Sequence, residues 1–389
     1  MRRFIAILLV LLCAVCCGCA ATEEEGGVRL TALNVGKGDC LLLTVDGQSY
    51  LIDAGYDYTA GRMLEALRQY GVDWLGGVFL THCDKDHAGG LMALANSGVR
   101  VDAWYAAAIY YDVKDGQHPA ELAAAARGDT VRFLNAGDTL TLGESATLRV
   151  LGPLTVNTEN ENNNSLVFSV ETGDGTLLFT GDMKLEEEYA LLEAGLIPQA
   201  ELLKVPFHGD NTASSAAFVE AVSPAAAVIS TSTAEEPDTP ASSVLKRYGK
   251  LGADVYVTQD YRYGLELTLQ KGRVRAKALA WDLPDHSKTV RAEITPEEDL
   301  LTLYNTGSSD ISLAGWTVFS TKGEECVTLP EDAALPAGGS WSLGTRATKT
   351  EADGTADIKR LWHKSKYDEA RVYDAAGNPV AVTDNGRGE

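Results

Sequence analysis

One stretch of ten residues, Thr81-His82-Cys83-Asp84-Lys85-Asp86-His87-Ala88-Gly89-Gly90, constrains this chain more than any other. It follows an apolar run, Gly77 to Leu80, that reads as a short buried strand. Four side chains able to hold a cation, His82, Asp84, Asp86 and His87, therefore sit together at the edge of a sheet. Residues two apart in an extended segment point the same way, so His82 and Asp84 suit one ion. Asp86 and His87 fall where the chain turns into a helix, read over His87 to Ala95, and point elsewhere. That geometry suits two neighbouring ions better than one. The bland alternative is a charged surface loop. Against it, the whole chain holds only 6 histidines, and two of them stand here with two aspartates. Gly89 and Gly90 let the helix start pack tightly against the loop.

Four ligands do not close two metal sites, so further ones are expected at the ends of later strands. Thr180-Gly181-Asp182 offers a carboxylate able to bridge both ions, and Leu203-Lys204-Val205-Pro206-Phe207-His208-Gly209 offers an imidazole. A lone Gly-Asp or a lone His is weak evidence. Their value lies in position, since both end apolar strands. Cys83 alternates away from its neighbours and reads as a small packed residue.

Strands and helices interleave, which makes the class α/β. Strand patterns cover Val28 to Val35, Cys40 to Val45, Ser49 to Ile52, Thr147 to Leu151, Ser165 to Glu171, Thr176 to Thr180, Leu202 to Val205, Ala226 to Ser230 and Asp254 to Thr258. Helical spacing covers Gly61 to Tyr70, Lys184 to Ala194, Ser214 to Val222 and Ala241 to Tyr248. From Arg291 onward the chain turns strand-like, with Glu293 to Tyr304, Trp316 to Phe319, Ser340 to Leu343 and Ala370 to Tyr373 as candidate strands. The expected organisation is a domain over 28–280, a linker over 281–290 and a small β-sandwich over 291–383.

The order Leu51-Ile52-Asp53-Ala54-Gly55, then His-x-Asp-x-Asp-His, then Gly-Asp, then His-Gly resembles the metallo-β-lactamase superfamily. Asn34-Val35-Gly36-Lys37-Gly38-Asp39 and Asn162-Asn163-Asn164-Ser165-Leu166-Val167 bring the resemblance closer to the extracellular hydrolase domain of the ComEC family of DNA-uptake proteins. It covers roughly Val28 to Leu269. It implies a four-layer αββα sandwich with two divalent ions, zinc or manganese, at one edge. His82, Asp84 and Asp182 would hold the first ion. Asp86, His87, Asp182 and His208 would hold the second, the more secure of the two. The implied catalytic carboxylates are Asp86, as a ligand, and Asp53, as a hydrogen-bonding support for the loop. Lys204, Asn163 and Ser165 are placed to bind an anionic substrate oxygen, with Lys204 equally readable as a surface residue. Three departures stand out. Phe207 replaces the first histidine of a His-His-Gly seen in many relatives, Thr239 of Asp238-Thr239-Pro240 replaces a histidine of Gly-His-Pro, and Asp84 stands where many members have His. An oxygen-rich first site tolerates harder ions as well as zinc.

Charge limits the partners. Lys and Arg number 33 against 55 Asp and Glu, a net charge of -22. Such a chain is repelled by nucleic acid and anionic membrane unless a local field reverses. There is no basic stripe or row of stacking aromatics, so a small or tethered anion suits it better than a long duplex. Arg2 and Arg3 precede an apolar run, Phe4 to Val15, too short to span a bilayer comfortably. The run ends in Cys16-Cys17-Gly18-Cys19-Ala20, which resembles a lipoprotein cleavage site. An export signal over 1–19, lipidation at Cys19 and a linker over 20–27 are expected, with plain cleavage near Ala21 as the alternative. The protein would then be secreted, or held at the outer face of the membrane through its lipid alone. Cys40, Cys83 and Cys326 are too scattered to form a disulfide framework. The C-terminal segments Leu300 to Gly307, Leu313 to Thr317 and Trp362 to Asp374 resemble a lamin-tail domain, with Trp316 as core anchor and a cell-surface partner as the implied ligand. His286 and His363 read as solvent-facing.

The leading expectation is an exported hydrolase of phosphodiesters, extracellular nucleic acid among them, using a hydroxide activated by paired metals. Its rivals are hydrolysis of a thioester, lactone or lactam, and a catalytically weak cell-surface binding protein.

Overall fold

The structure, a computed structural model, describes residues 27–111 and 116–387. The expected export signal, Cys19 and most of the first linker lie outside them. Among the described residues no helix is long and apolar enough to cross a membrane.

The strands of the first sheet are β1 (Val28–Leu33), β2 (Leu41–Val45), β3 (Gln48–Ile52), β4 (Trp74–Leu80), β5 (Arg100–Val101), β6 (Trp104–Ala107) and β7 (Val131–Leu134). Helices α1 (Ala60–Gln69), α2 (Lys85–Ala88), α3 (Leu91–Asn96) and α4 (Pro119–Ala126) fall between them. The second sheet is built from β8 (Thr139–Leu142), β9 (Ala146–Gly152), β10 (Val167–Thr172), β11 (Gly175–Phe179), β12 (Leu202–Lys204), β13 (Ala226–Ile229) and β14 (Asp254–Val257), with α5 (Leu185–Glu193), α6 (Ala216–Val222) and α7 (Ser242–Lys250). The chain then returns to the first sheet with β15 (Gly264–Gln270) and β16 (Arg273–Ala278), giving the order β16-β15-β1-β2-β3-β4-β6-β7, with β5 paired to β4. The second sheet runs β14-β13-β12-β11-β10-β9-β8.

Period-two alternation decides the layers. Leu41, Leu43, Phe79, Leu177, Phe179, Leu202 and Val228 fill the core between the two sheets. Their chain neighbours point outward. Leu42, Val78 and Leu80 meet α1, α3 and α4, while Leu178, Leu203 and Ile229 meet α5, α6 and α7. Strands buried on both faces read as continuous apolar runs, as these do. The result is the four-layer αββα sandwich implied by the resemblance.

Two readings of local structure change. The helix expected over His87 to Ala95 is two short helices, α2 and α3, broken at Gly89-Gly90. The junction needs glycine: a Cβ on Gly90 would lie 2.3 Å from the Ala54 carbonyl oxygen. The single strand expected over Glu293 to Tyr304 is a hairpin, β17 (Val290–Thr295) paired antiparallel with β18 (Leu300–Asn305). Asp299 at its turn has φ 56° and accepts bonds from Thr345, Arg360, Leu361 and Trp362, so it organises the C-terminal part.

That part is all-β, with its own core around Trp316, Leu303, Val318, Trp341 and Trp362. It is packed onto the first part, not hung from a free tether. Trp281, in the expected linker, stacks on Tyr263 with ring centroids 4.9 Å apart. The Arg62 guanidinium, 2% exposed, donates to the Gly377 carbonyl and to Asn378 Oδ1 at 3.2 and 3.0 Å. Tyr58 stacks on Phe319 at 4.2 Å, and the Thr317 hydroxyl donates to the Tyr58 carbonyl at 3.0 Å. His286 packs on Trp316, and His363 Nδ1 accepts bonds from the Ser365 and Lys366 amides; both histidines stay partly exposed.

Candidate metal centre

Parallel pairing puts the carboxyl ends of several strands at one edge. β3 pairs parallel with β4 in one sheet, and β11, β12 and β13 are mutually parallel in the other. Asp53 follows β3, Thr81 to His87 follow β4, Asp182 follows β11 and His208 follows β12. The Leu166 amide donates to the Thr81 carbonyl at 2.8 Å and joins the two sheets at this edge.

Asp182 lies at the middle. Its Oδ1 is 3.3 Å from His87 Nε2, and its Oδ2 is 3.0 Å from His208 Nε2 and 3.9 Å from His82 Nε2. Asp86 Oδ2 is 3.4 Å from His208 Nε2 and 3.9 Å from His87 Nε2. Asp84 Oδ2 is 3.5 Å from His82 Nε2, with its side chain half exposed. All six side chains expected to ligate therefore converge. They fall into two overlapping sets that share Asp182. One holds Asp86, His87, Asp182 and His208, with ligand atoms within 4.8 Å of one another. The other, looser and more open, holds His82, Asp84 and Asp182.

The hydrogen bonds settle which imidazole nitrogen faces inward. His208 Nδ1 donates to the Ser230 carbonyl at 2.9 Å. His87 Nδ1 donates to Asp53 Oδ2 at 2.7 Å. The Thr81 hydroxyl gives its proton to Asp53 Oδ2 at 2.7 Å, so it accepts from His82 Nδ1 at 3.2 Å. In its neutral form each imidazole thus keeps its proton on Nδ1 and turns the Nε2 lone pair to the centre. The Nε2 atoms of His82, His87 and His208 and Asp182 Oδ1 are buried without a hydrogen-bond partner. Buried polar atoms are rarely left so, and four converging ones fit a divalent-cation centre.

Charge in the metal-free protein supports the same fit. Burial alone would raise the carboxyl of Asp182, yet the charges of His208 and His87 hold it well below the usual range. Burial opposes protonation of His208, but Asp182, Asp86 and Asp39 overcome it and push the pKa to about 9. His87 is raised by Asp182, Asp53 and Asp86 in the same way, against burial. Carboxylates that draw protons onto imidazoles draw divalent cations to the same positions.

The profile of the metallo-beta-lactamase superfamily matches residues 33–233. The chain belongs to that superfamily. Three curated relatives align over about two thirds of the chain. They are Recombination protein 2 of Haemophilus influenzae (26% identical, 64% of this chain, 28% of the relative), Competence protein ComA of Neisseria gonorrhoeae (28%, 67% and 35%) and ComE operon protein 3 of Bacillus subtilis (25%, 62% and 33%). The chain thus spans about a third of the length of the curated relatives it matches. Among solved structures, Tm1679, described as a metal-dependent hydrolase of the beta-lactamase superfamily, covers 62% of this chain and 99% of its own, with 14% identity and a TM-score of 0.41.

Against that family, three expected substrate contacts are corrected. Lys204 is 1% exposed, and its ammonium lies 2.7 Å from Asp39 Oδ2 and donates to the Val205 carbonyl at 2.9 Å. It is a buried counter-ion, neither a surface residue nor a free anion site. Asn163 accepts from the Lys184 amide and donates to Glu186 Oε2, both at 2.9 Å, so both ends of its amide are engaged. Ser165 Oγ accepts from the Asp182 amide at 3.0 Å and positions that carboxylate. Asp53, buried with φ 55°, also accepts from the Thr81 amide at 2.7 Å, which matches its expected supporting role.

Two residues were missed. Asp39 is 1% exposed, holds Lys204, and reaches within 3.9 Å of His87 Nδ1 and 4.0 Å of His208 Nδ1. Its place in Asn34-Val35-Gly36-Lys37-Gly38-Asp39 was the available signal. A Cβ on Gly38 would lie 2.3 Å from the Asp86 carbonyl oxygen, so this glycine brings the motif against the ligand loop. Lys37 Nζ lies 3.5 Å from Asp86 Oδ2. No sequence signal marked the backbone of Phe207 and His208, whose φ angles of 46° and 52° are left-handed. Two such residues in a row cost roughly 1–3 kcal/mol each and occur where a site demands them. Thr239 is buried with its hydroxyl 2.5 Å from that of Thr231.

Proposed function

We propose that this protein is an exported phosphodiesterase that works with two divalent ions, zinc or manganese, held by His82, Asp84, Asp86, His87, Asp182 and His208. The observation that carries the reading is the position of Asp182 between two ligand sets, with the Nε2 atoms of His82, His87 and His208 buried and unpartnered around it. Bound there, such ions lower the pKa of a water and polarise the bond under attack. The chain's own residues do the rest. Asp53, Thr81 and Ser230 keep three imidazoles in one tautomer. Ser165 fixes Asp182, and both are buried. The competence and recombination names of the relatives favour a nucleic-acid-like substrate over a lactam. Export with lipidation at Cys19 follows the N-terminal pattern, and a cell-surface partner for the C-terminal sandwich follows its lamin-tail resemblance. The intact ligand set counts against a merely binding protein.

The test uses the full mature chain, stripped and reloaded with zinc or manganese. It is assayed on bis(p-nitrophenyl) phosphate, single-stranded DNA and RNA, and in parallel on a thioester, a lactone and a lactam. Phosphodiester turnover that disappears in His82→Ala and Asp182→Ala supports the reading. A fully loaded protein that turns over only the other bonds, or nothing, removes it.

A further inference from the structure

Two cations lie against Phe207, the residue just before the candidate ligand His208. Lys184 Nζ is 4.5 Å from the centre of its ring, and Lys37 Nζ is 6.0 Å from it. Lys37 also touches Asp86, at 3.5 Å, which places it at the mouth of the centre. Among the described residues Lys184 makes no ion pair, although its backbone is fixed two residues after Asp182 by Asn163. Phe207 and Lys184 are half-buried, and the Lys37 side chain is 22% exposed, so all three border solvent.

Charge explains why such groups are needed. The ligand set contributes three carboxylates, Asp84, Asp86 and Asp182, and Asp53 adds a fourth through His87. Two dications are cancelled by these four, while Asp39 is already matched by Lys204. The centre itself then offers an approaching anion little net attraction, inside a chain of net charge -22.

We infer that Lys37 and Lys184, set against Phe207, form an anion-binding subsite that holds a phosphate group of the substrate beside the metal centre. The C-terminal sandwich reaches the loop that carries Lys37. The Lys37 amide donates to Glu235 Oε2 at 2.8 Å, and Glu235 Oε1 lies 3.9 Å from Arg371 Nη1 on the sandwich. A Cβ on Gly36 would fall 2.5 Å from Glu235 Oε1, so the loop carrying Lys37 is moulded onto this carboxylate. The sandwich is on this account a wall of the site and not only an attachment module. The inference rests on the proposed phosphodiesterase reading for its substrate class.

The test measures binding of inorganic phosphate to the metal-loaded full chain by calorimetry, with metal content and melting temperature recorded for every variant. Lys37→Gln and Lys184→Gln should each weaken phosphate binding about 5- to 30-fold, the range for a half-exposed charged hydrogen bond. The double variant should bind none, and Lys37→Arg should restore most of the affinity. Arg371→Gln should raise KM for a phosphodiester while leaving metal content unchanged. Wild type that binds no phosphate, or variants that keep full affinity at full metal content, overturns the subsite. Phosphate binding that depends on these lysines in a protein without phosphodiesterase activity upholds the subsite and overturns only the proposed reaction.

Discussion

Replacing Asp53 by asparagine should weaken metal binding by moving one proton. Asp53 is fully buried and accepts from the Thr81 amide, the Thr81 hydroxyl and His87 Nδ1, each at 2.7 Å. Asparagine has the same shape but a single accepting oxygen. With that oxygen on the Thr81 amide, its NH2 group faces His87 Nδ1, donor against donor. The conflict is relieved when His87 carries its proton on Nε2, where the ligating lone pair otherwise stands. Turned the other way, the amide leaves the buried Thr81 N–H unpaired, at a cost of about 1–3 kcal/mol. Loss of such an orienting partner lowers metal affinity by about 10- to 100-fold, or about 1.4–2.8 kcal/mol. The assay is competition with a fluorescent chelator, with stoichiometry by elemental analysis. The ion held by Asp86, His87, Asp182 and His208 should weaken, and the one at His82 and Asp84 should change less. Wild-type affinity at both positions would refute the tautomer argument.

Two further outcomes follow from buried ionisable groups. Lys204→Met should destabilise the fold by about 3–5 kcal/mol, because it leaves Asp39 buried without its cation. Adding Asp39→Asn should recover most of that, and an unchanged urea midpoint in the single variant would show the pair to be unimportant. His118 is 4% exposed, and burial lowers its pKa from the ordinary 6.5 to about 4. Its neutral form is favoured by folding, so the stability it contributes is present above pH 6.5 and is lost as pH falls towards 4. His118→Phe should flatten the fall in denaturation free energy between those two values, and an identical slope in both proteins would contradict the burial argument.

Much of the centre was legible because its chemistry is written in residue types. Histidine and aspartate two residues apart after an apolar strand have few other uses, and the Gly-Asp and His-Gly segments drew meaning from ending strands of the same sheet. The layers were legible because Leu41 to Leu43 and Leu177 to Phe179 alternate between two cores. The errors share a cause. Lys204, Asn163 and Ser165 were expected as substrate contacts because the family resemblance places them near the ligand segments. Their partners, Asp39, the Lys184 amide and the Asp182 amide, come from other segments that local pattern does not bring together. Likewise, nothing in α1 announces that the turn at Gly377 and Asn378 will cover Arg62.

The sequence by itself determined the α/β class, the all-β C-terminal part and the identity of the six candidate ligands, because hydrophobic period and side-chain chemistry act locally. Only the tertiary structure decided which way each polar group points. That choice decided that Lys204 neutralises Asp39, that Lys37 and Lys184 border Phe207, and that the sandwich stands beside the metal centre. The physical reason is that a buried charge or hydrogen-bond donor must find a partner wherever the fold supplies one. Across the distances between Asp39 and Lys204, or Arg62 and Asn378, the chain order carries no record of that pairing.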